Sequence, residues 1–249
     1  MYPRYTLPPA LVGRVALAVV TGRPRSFRAD ARLALAGLRP PLVVLGGENL
    51  PRSGPCLLTV NHYYRPGFQA WWIALGLSSI VAGDVHWVMT SAWTYTDPLG
   101  KLVFAPAMRW LLRRLARVYG FTTMPPMPPS PGEVEERARA VRQVLAWARR
   151  TPQPVIGLAP EGGDAPEGVM QWPPSGAGRF ISHLAGMGLR LVPVGAYESE
   201  EGLCLRVGAP FALDLAPDAP PDARDRQVSQ QVMRRIAALL PPALQGEFG

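Results

Sequence analysis

The sequence predicts one α/β domain, built as a mixed, mostly parallel sheet flanked by helices. Three observations predict it. Short runs rich in β-forming residues alternate with longer stretches of helical periodicity. Several of the short runs end in residues suited to chemistry, as strands of such sheets do at their carboxyl ends. The 249 residues also show no change of composition, repeat or flexible linker that would divide them, so residues 1–249 are read as a single domain.

The elements follow in order. Residues 10–20 form the longest apolar stretch near the start, but Arg14 interrupts it and it is too short to span a bilayer. Residues 21–24 offer no convincing signal-peptidase site. Two placements stay open for this stretch: packing in the core or lying on a membrane. Strands are expected at 42–45, 56–60, 86–90, 155–158, 191–194 and 203–207. Helices are expected at 67–77, 100–117, 131–150, 175–187 and 222–240.

The helix at 131–150 has the clearest signature. Ser130 can cap it and Pro131 suits its first turn. Val134, Ala138, Val141, Leu145 and Ala148 recur at helical spacing, while Glu135, Arg139, Arg142 and Arg149 take the other side. That basic side lacks interleaved aromatic residues for stacking bases and is read as a solvated face. Just before it, Met124-Pro125-Pro126-Met127-Pro128-Pro129 can be neither helix nor central strand and reads as a stiff, extended connector.

Composition narrows the partners. Apolar residues make up 48% and charged residues 18%, which is ordinary for a globular protein and excludes the disordered class. The net charge is +8, and the isoelectric point near 10.2 favours anionic partners: nucleic acid, a phospholipid surface or a phosphate-bearing substrate. Arginine supplies almost all of the basic charge, with Lys101 the only lysine. Cys56 and Cys204 are too few and too far apart for a disulfide framework or a zinc site, which points to a reducing compartment. The cytoplasm is the localisation expected.

Three blocks carry the chemistry. Leu57-Leu58-Thr59-Val60-Asn61-His62 is a buried-type strand that ends in a histidine, where a general base is expected. Val155-Ile156-Gly157-Leu158-Ala159-Pro160-Glu161-Gly162-Gly163 is another strand, running into a carboxylate and a glycine pair that lets a ligand approach the backbone. Leu191-Val192-Pro193-Val194-Gly195 is the third. A histidine at a strand end, or a glutamate in a glycine turn, is individually more often structural than catalytic.

In this order and at about this separation the blocks resemble those of the glycerolipid acyltransferases, the superfamily that includes lysophosphatidate acyltransferase. Asn61-His62 matches the start of the family's Asn-His-x-x-x-x-Asp block. Ala159-Pro160-Glu161-Gly162 is similar to Phe-Pro-Glu-Gly-Thr, and Val192-Pro193-Val194-Gly195 to Val-Pro-Val. Phe104-Ala105-Pro106 and Leu111-Leu112-Arg113-Arg114-Leu115 resemble its Pro-containing Leu-Arg helix, and Gly120-Phe121-Thr122-Thr123-Met124 its second block. The resemblance spans residues 42–207.

The departures are specific. Gly67 stands where the family has the aspartate that orients its histidine, and Gly163-Asp164 stand where it has Thr-Arg. Met124 ends the second block in place of an arginine. Glu161, Asp97 and Asp164 are the acids closest in sequence that can replace the aspartate, and a backbone carbonyl can also serve. The missing arginines, with an acidic Asp164 in their place, imply that lysophosphatidate and glycerol 3-phosphate are disfavoured and that an uncharged hydroxyl or amine acceptor fits better, unless Arg65 or Arg179 folds back into the site.

The resemblance implies an acyltransferase of lipid biosynthesis. It would move an acyl chain from a coenzyme A or acyl-carrier-protein thioester to a hydroxyl or amine of a lipid-like acceptor. His62 would be the general base, and Asn61, Arg65, Glu161, Gly162, Gly163 and Arg179 would contact substrate. No cofactor, metal or nucleic acid is expected. Arg109, Arg113, Arg114 and Arg117 on one helix suit either peripheral contact with an anionic membrane at its inner face or a solvated helix face. Trp71, Trp72, Trp87 and Trp93 suit either the core or an acyl tunnel. The contrary reading is a catalytically silent lipid- or acyl-binding protein that retains the fold.

Overall fold

The computed structural model describes residues 3–92, 100–126, 132–163, 166–215 and 218–249. Trp93, Asp97 and Asp164, the Ser130-Pro131 cap and the end of the proline connector lie outside them.

Among the described residues, seven strands form one sheet in the order β1-β7-β6-β2-β5-β3-β4. They are β1 (Val43–Leu45), β2 (Cys56–Val60), β3 (His86–Thr90), β4 (Thr122–Met124), β5 (Val155–Leu158), β6 (Arg190–Ser199) and β7 (Gly202–Val207). β2 through β6 run parallel to one another, and the β6–β7 hairpin turns the edge antiparallel, so the sheet is mixed and mostly parallel, as expected. β2 and β5 lie at the centre, where both faces are covered. That burial explains their unbroken apolar character, since all five residues of β2 and all four of β5 are buried.

The strand period of two divides the core. From β2, Cys56, Leu58 and Val60 join one cluster with Trp72, Leu75 and Leu77 of α3 (Trp71–Ile80) and Ala31 and Ala34 of α2 (Phe27–Leu35). Leu57 faces the opposite cluster, with Val144 of α5 (Glu133–Arg150), Ile181 of α6 (Ala177–Gly186) and Val232 of α7 (Pro221–Ala237). Gly157 of β5 pairs with Trp87 of β3, and a Cβ at 157 would lie 2.5 Å from the indole ring. Only glycine leaves room for that tryptophan.

Two helices precede the sheet. The apolar stretch near the start is α1 (Pro9–Thr21), which packs against α4 (Ala105–Tyr119). Ala18 and Val19 meet Val118, Leu111 and Leu115 there, while Val12, Leu17 and Val20 stay 48%, 61% and 67% exposed. α1 therefore packs on one side and presents apolar residues to its surroundings on another. No helix among the described residues is long and apolar enough to cross a membrane.

All five expected helices shift at an end, and two of them, α3 and α4, start well after the expected residue for local reasons. α3 starts at Trp71 rather than at residue 67, because Gly67 takes φ +83 in the turn that precedes it. The 100–117 helix divides into a π-helical turn, Gly100–Phe104, and α4, whose start accommodates Pro106 because first-turn amides need no helical acceptor.

Candidate active site

The neighbouring strands β2 and β5 deliver the site at their carboxyl ends. Their connections diverge: β2 leads through α3 to β3, and β5 leads through α6 to β6 on the other side of β2. A crevice opens where such connections part. It is a cleft of about 1940 Å³, and Asn61, His62, Gly162, Gly163 and Arg179 all line it.

Asn61 is 1% exposed, and its carboxamide is committed. Its Nδ2 donates to the Ala196 carbonyl at 2.8 Å and its Oδ1 accepts from the Ala196 N–H at 2.7 Å. Val60 is the last β2 residue paired with β6, at Val194. The Asn61 side chain thus supplies one more rung after the β2 backbone has left the ladder, and so fixes where the chain turns.

His62 follows, partly buried and facing the cleft. Its peptide N–H donates to Glu161 Oε1 at 2.7 Å. Glu161 Oε2 accepts the Gln171 N–H at 2.9 Å. Glu161 is 8% exposed, and burial raises its pKa above the usual carboxylate range, with the two peptide donors opposing only part of that rise. Glu161 is a clamp that ties the ends of β2 and β5 together. It is also a carboxylate at hydrogen-bond distance from His62, through the main chain of that residue.

The glycines beyond it contrast with this clamp. Gly162 adopts φ +76 and donates its N–H to the Ala159 carbonyl at 3.2 Å. Gly163 is exposed in the cleft, and a Cβ there would meet nothing within 4 Å.

Arg65 goes elsewhere. Its Nη2 donates to Glu198 Oε1 at 2.8 Å, its Nε to Glu198 Oε2 and its Nη1 to the Pro66 carbonyl at 2.8 Å. Glu198 is a fully buried partner that also accepts from Tyr5 Oη at 2.8 Å. Arg65 is not among the residues that line the cleft. Gly67 belongs to the same corner, since a Cβ there would approach Arg65 Nη1 at 3.5 Å.

The tryptophans divide. Trp71 and Trp87 line the cleft, whereas Trp72 is 2% exposed in the core and stacks on Trp71 at 5.2 Å. Much of the apolar wall lies outside the sequence motifs: it comes from α1 through Leu11, Val15 and Val19 and from α4 through Met108, Trp110 and Leu111. The uncommitted apolar stretch at 10–20 was the available signal.

No family model matches the sequence, and no curated protein matches it significantly by sequence. The fold does match a solved structure, the 1-acyl-sn-glycerophosphate (LPA) acyltransferase PlsC from Thermotoga maritima. The superposition covers 92% of this chain and 88% of that one, with a TM-score of 0.54 and 16% identity. The chain has a glycerolipid acyltransferase-like fold.

Proposed function

We propose that this protein is an acyltransferase that passes an acyl chain from a coenzyme A or acyl-carrier-protein thioester to a hydroxyl or amine of a lipid-like acceptor. One observation carries the reading above the rest: His62 faces a large apolar cleft at the carboxyl end of a central strand, with its main chain held by Glu161. The acyltransferase fold supports it. A cleft of about 1940 Å³ lined by Trp71, Trp110 and the apolar side of α1 suits an acyl chain.

In the reaction, the His62 imidazole takes the proton of the acceptor hydroxyl or amine as the heteroatom attacks the thioester carbonyl carbon. The resulting oxyanion faces the exposed Gly163 backbone, whose N–H is the donor we assign to it. Collapse breaks the carbon–sulfur bond, and the thiolate takes the proton back from the imidazolium. Asn61 and Glu161 act by position: one fixes the end of β2 against β6, the other fixes the His62 peptide.

His62→Ala tests this. Transfer of labelled acyl groups by the purified protein falls by about two to four orders of magnitude, while circular dichroism and melting temperature stay near wild type. Wild-type turnover in that variant rules out the mechanism.

The same reading gives the cleft a membrane to draw from. Val12, Leu17 and Val20 of α1 and Leu102, Val103, Phe104 and Trp110 around the start of α4 are each 48–78% exposed. The basic contribution is smaller than the sequence suggests, because Arg113 pairs with Glu136 at 2.7 Å and Arg109 with Glu133 at 3.5 Å. Leu17→Asp with Leu102→Asp lowers co-sedimentation with anionic vesicles about tenfold or more, and salt alone releases only part of the protein. Undiminished binding by the double variant removes this face from the account.

A further inference from the structure

The cleft has a charged wall as well as an apolar one. α5 and α6 pack side by side and present one face each to the opening. From α5 come Arg137 and Arg142, and from α6, Arg179 and His183. Asp30 is the one acid lining the cleft among the described residues, and it is already compensated by Arg25, with Nε at 2.7 Å, and by Tyr119 Oη at 2.9 Å. The opening therefore carries net positive charge on one side, and a cleft with low-dielectric walls concentrates such a field.

The four bases are not equivalent. Arg137 is partly buried and donates to the Pro125 carbonyl at 3.1 Å, with burial lowering its pKa, so it is tethered to the wall. Arg142 and His183 are exposed. Arg179 meets Asp222 at 3.3 Å, but that carboxylate is 98% exposed and the pair is screened by water. The start of α6 does not supply the attraction itself. Its amide donors at Gly176 and Arg179 already bind the Asp225 carboxylate, at 2.8 and 2.6 Å. Recognition here falls to the side chains.

We infer that the α5–α6 wall is a phosphate subsite, in which Arg142 and Arg179 hold the phosphate group of one substrate while its acyl chain lies along the apolar wall. Guanidinium groups bind phosphate oxygens through paired, charge-assisted hydrogen bonds, and two of them from separate helices can take one phosphate from both sides. His183 adds a third hydrogen-bonding group on the same helix face as Arg179, one turn along. These positions lie outside Met124 and residues 163–164, where the resembling sequences carry their arginines, so the subsite is relocated rather than lost. Phosphate reaches the cleft in two forms, as the donor's coenzyme A or as the headgroup of a phosphorylated acceptor.

The inference rests on the acyltransferase reading for the identity of those substrates, but its test is binding and needs no turnover. Free coenzyme A, lysophosphatidate and monoacylglycerol are titrated by calorimetry into wild type, Arg142→Ala, Arg179→Ala and the double variant. Each single change weakens at least one phosphate-bearing probe about tenfold, the double change weakens it more, and monoacylglycerol binding is unchanged. Raising salt weakens the same probe in wild type. Loss confined to coenzyme A assigns the subsite to the donor, and loss confined to lysophosphatidate assigns it to the acceptor. Unchanged affinity for both in a folded double variant, or binding of neither by wild type, overturns the inference. Arginine-dependent binding without acyl transfer leaves the subsite standing and removes the activity; the converse result does the opposite.

Discussion

The adjacent strand ends that form the site are built in opposite ways. At the end of β2, Thr59, Val60 and Asn61 are all buried, the Asn61 carboxamide is bonded to β6, and the His62 peptide is bonded to Glu161. At the end of β5, burial stops one residue after Pro160. Glu161 is buried and bonded twice, but Gly162 turns with φ +76 and Gly163 stands in the open. The difference teaches how such a site divides its labour. In the proposed reaction, the group that moves a proton sits on a buried, hydrogen-bonded support, and the backbone assigned to the changing charge is left small and accessible.

Substitutions can break this contrast in steps. The largest stability effect is expected from Asn61→Ala, which strands the N–H and C=O of Ala196 in the core. Each buried polar group left without its partner costs about 1–3 kcal/mol, so unfolding in urea registers a loss of about 2–6 kcal/mol. His62→Ala costs far less stability while removing activity, so the two neighbours separate cleanly. A small loss for Asn61→Ala means that water replaces the carboxamide and that the extra rung is not what holds the turn.

Glu161→Gln comes next. A carboxamide can accept from one of the two peptide donors, but it presents an N–H to the other and lacks the charge. We expect kcat to fall about ten- to hundredfold with little change in KM, because the substrate walls are untouched and the His62 support is not. A change confined to KM makes Glu161 a substrate ligand after all. The smallest effects distinguish the two glycines. Gly162→Ala is destabilised by about 1–2 kcal/mol, as an L-residue in the left-handed region is, whereas Gly163→Ala changes stability by less than about 0.5 kcal/mol. Equal melting temperatures for both variants remove the asymmetry.

The sheet was legible because central strands advertise themselves. β2 and β5 fall where the apolar runs place them, since burial on both faces demands such runs. The ten-residue length of β6 was not legible from 191–194. Its second half is ordered by an antiparallel partner, β7, and by Asn61 from 135 residues away. α2 escaped for a related reason: nine residues with a buried Asp30 become a helix face only once Arg25 and Tyr119 are in place.

At the site, position was readable and partnership was not. His62 and Glu161 could be placed at strand ends from their neighbours in sequence. That Glu161 holds backbone, rather than a ligand, depends on Gln171 and on a strand from another part of the chain. Arg65 looked like a site residue because it follows His62 closely, yet its guanidinium turns to Glu198, 133 residues on. Arg142 and His183 carry no motif and emerge only when α5 and α6 are set beside the cleft.

A chain with Gly67 in place of an orienting aspartate is proposed to catalyse acyl transfer, with the His62 support supplied by Glu161. The most direct test is the release of free thiol from a long-chain acyl-coenzyme A by purified wild-type protein, with and without a lipid acceptor. The expected release is saturable in acceptor, matched mole for mole by acylated product, and repeated over many turnovers. Tight, stoichiometric binding of the acyl thioester with no acceptor-dependent thiol release would contradict it and leave a silent acyl-binding protein in the same fold.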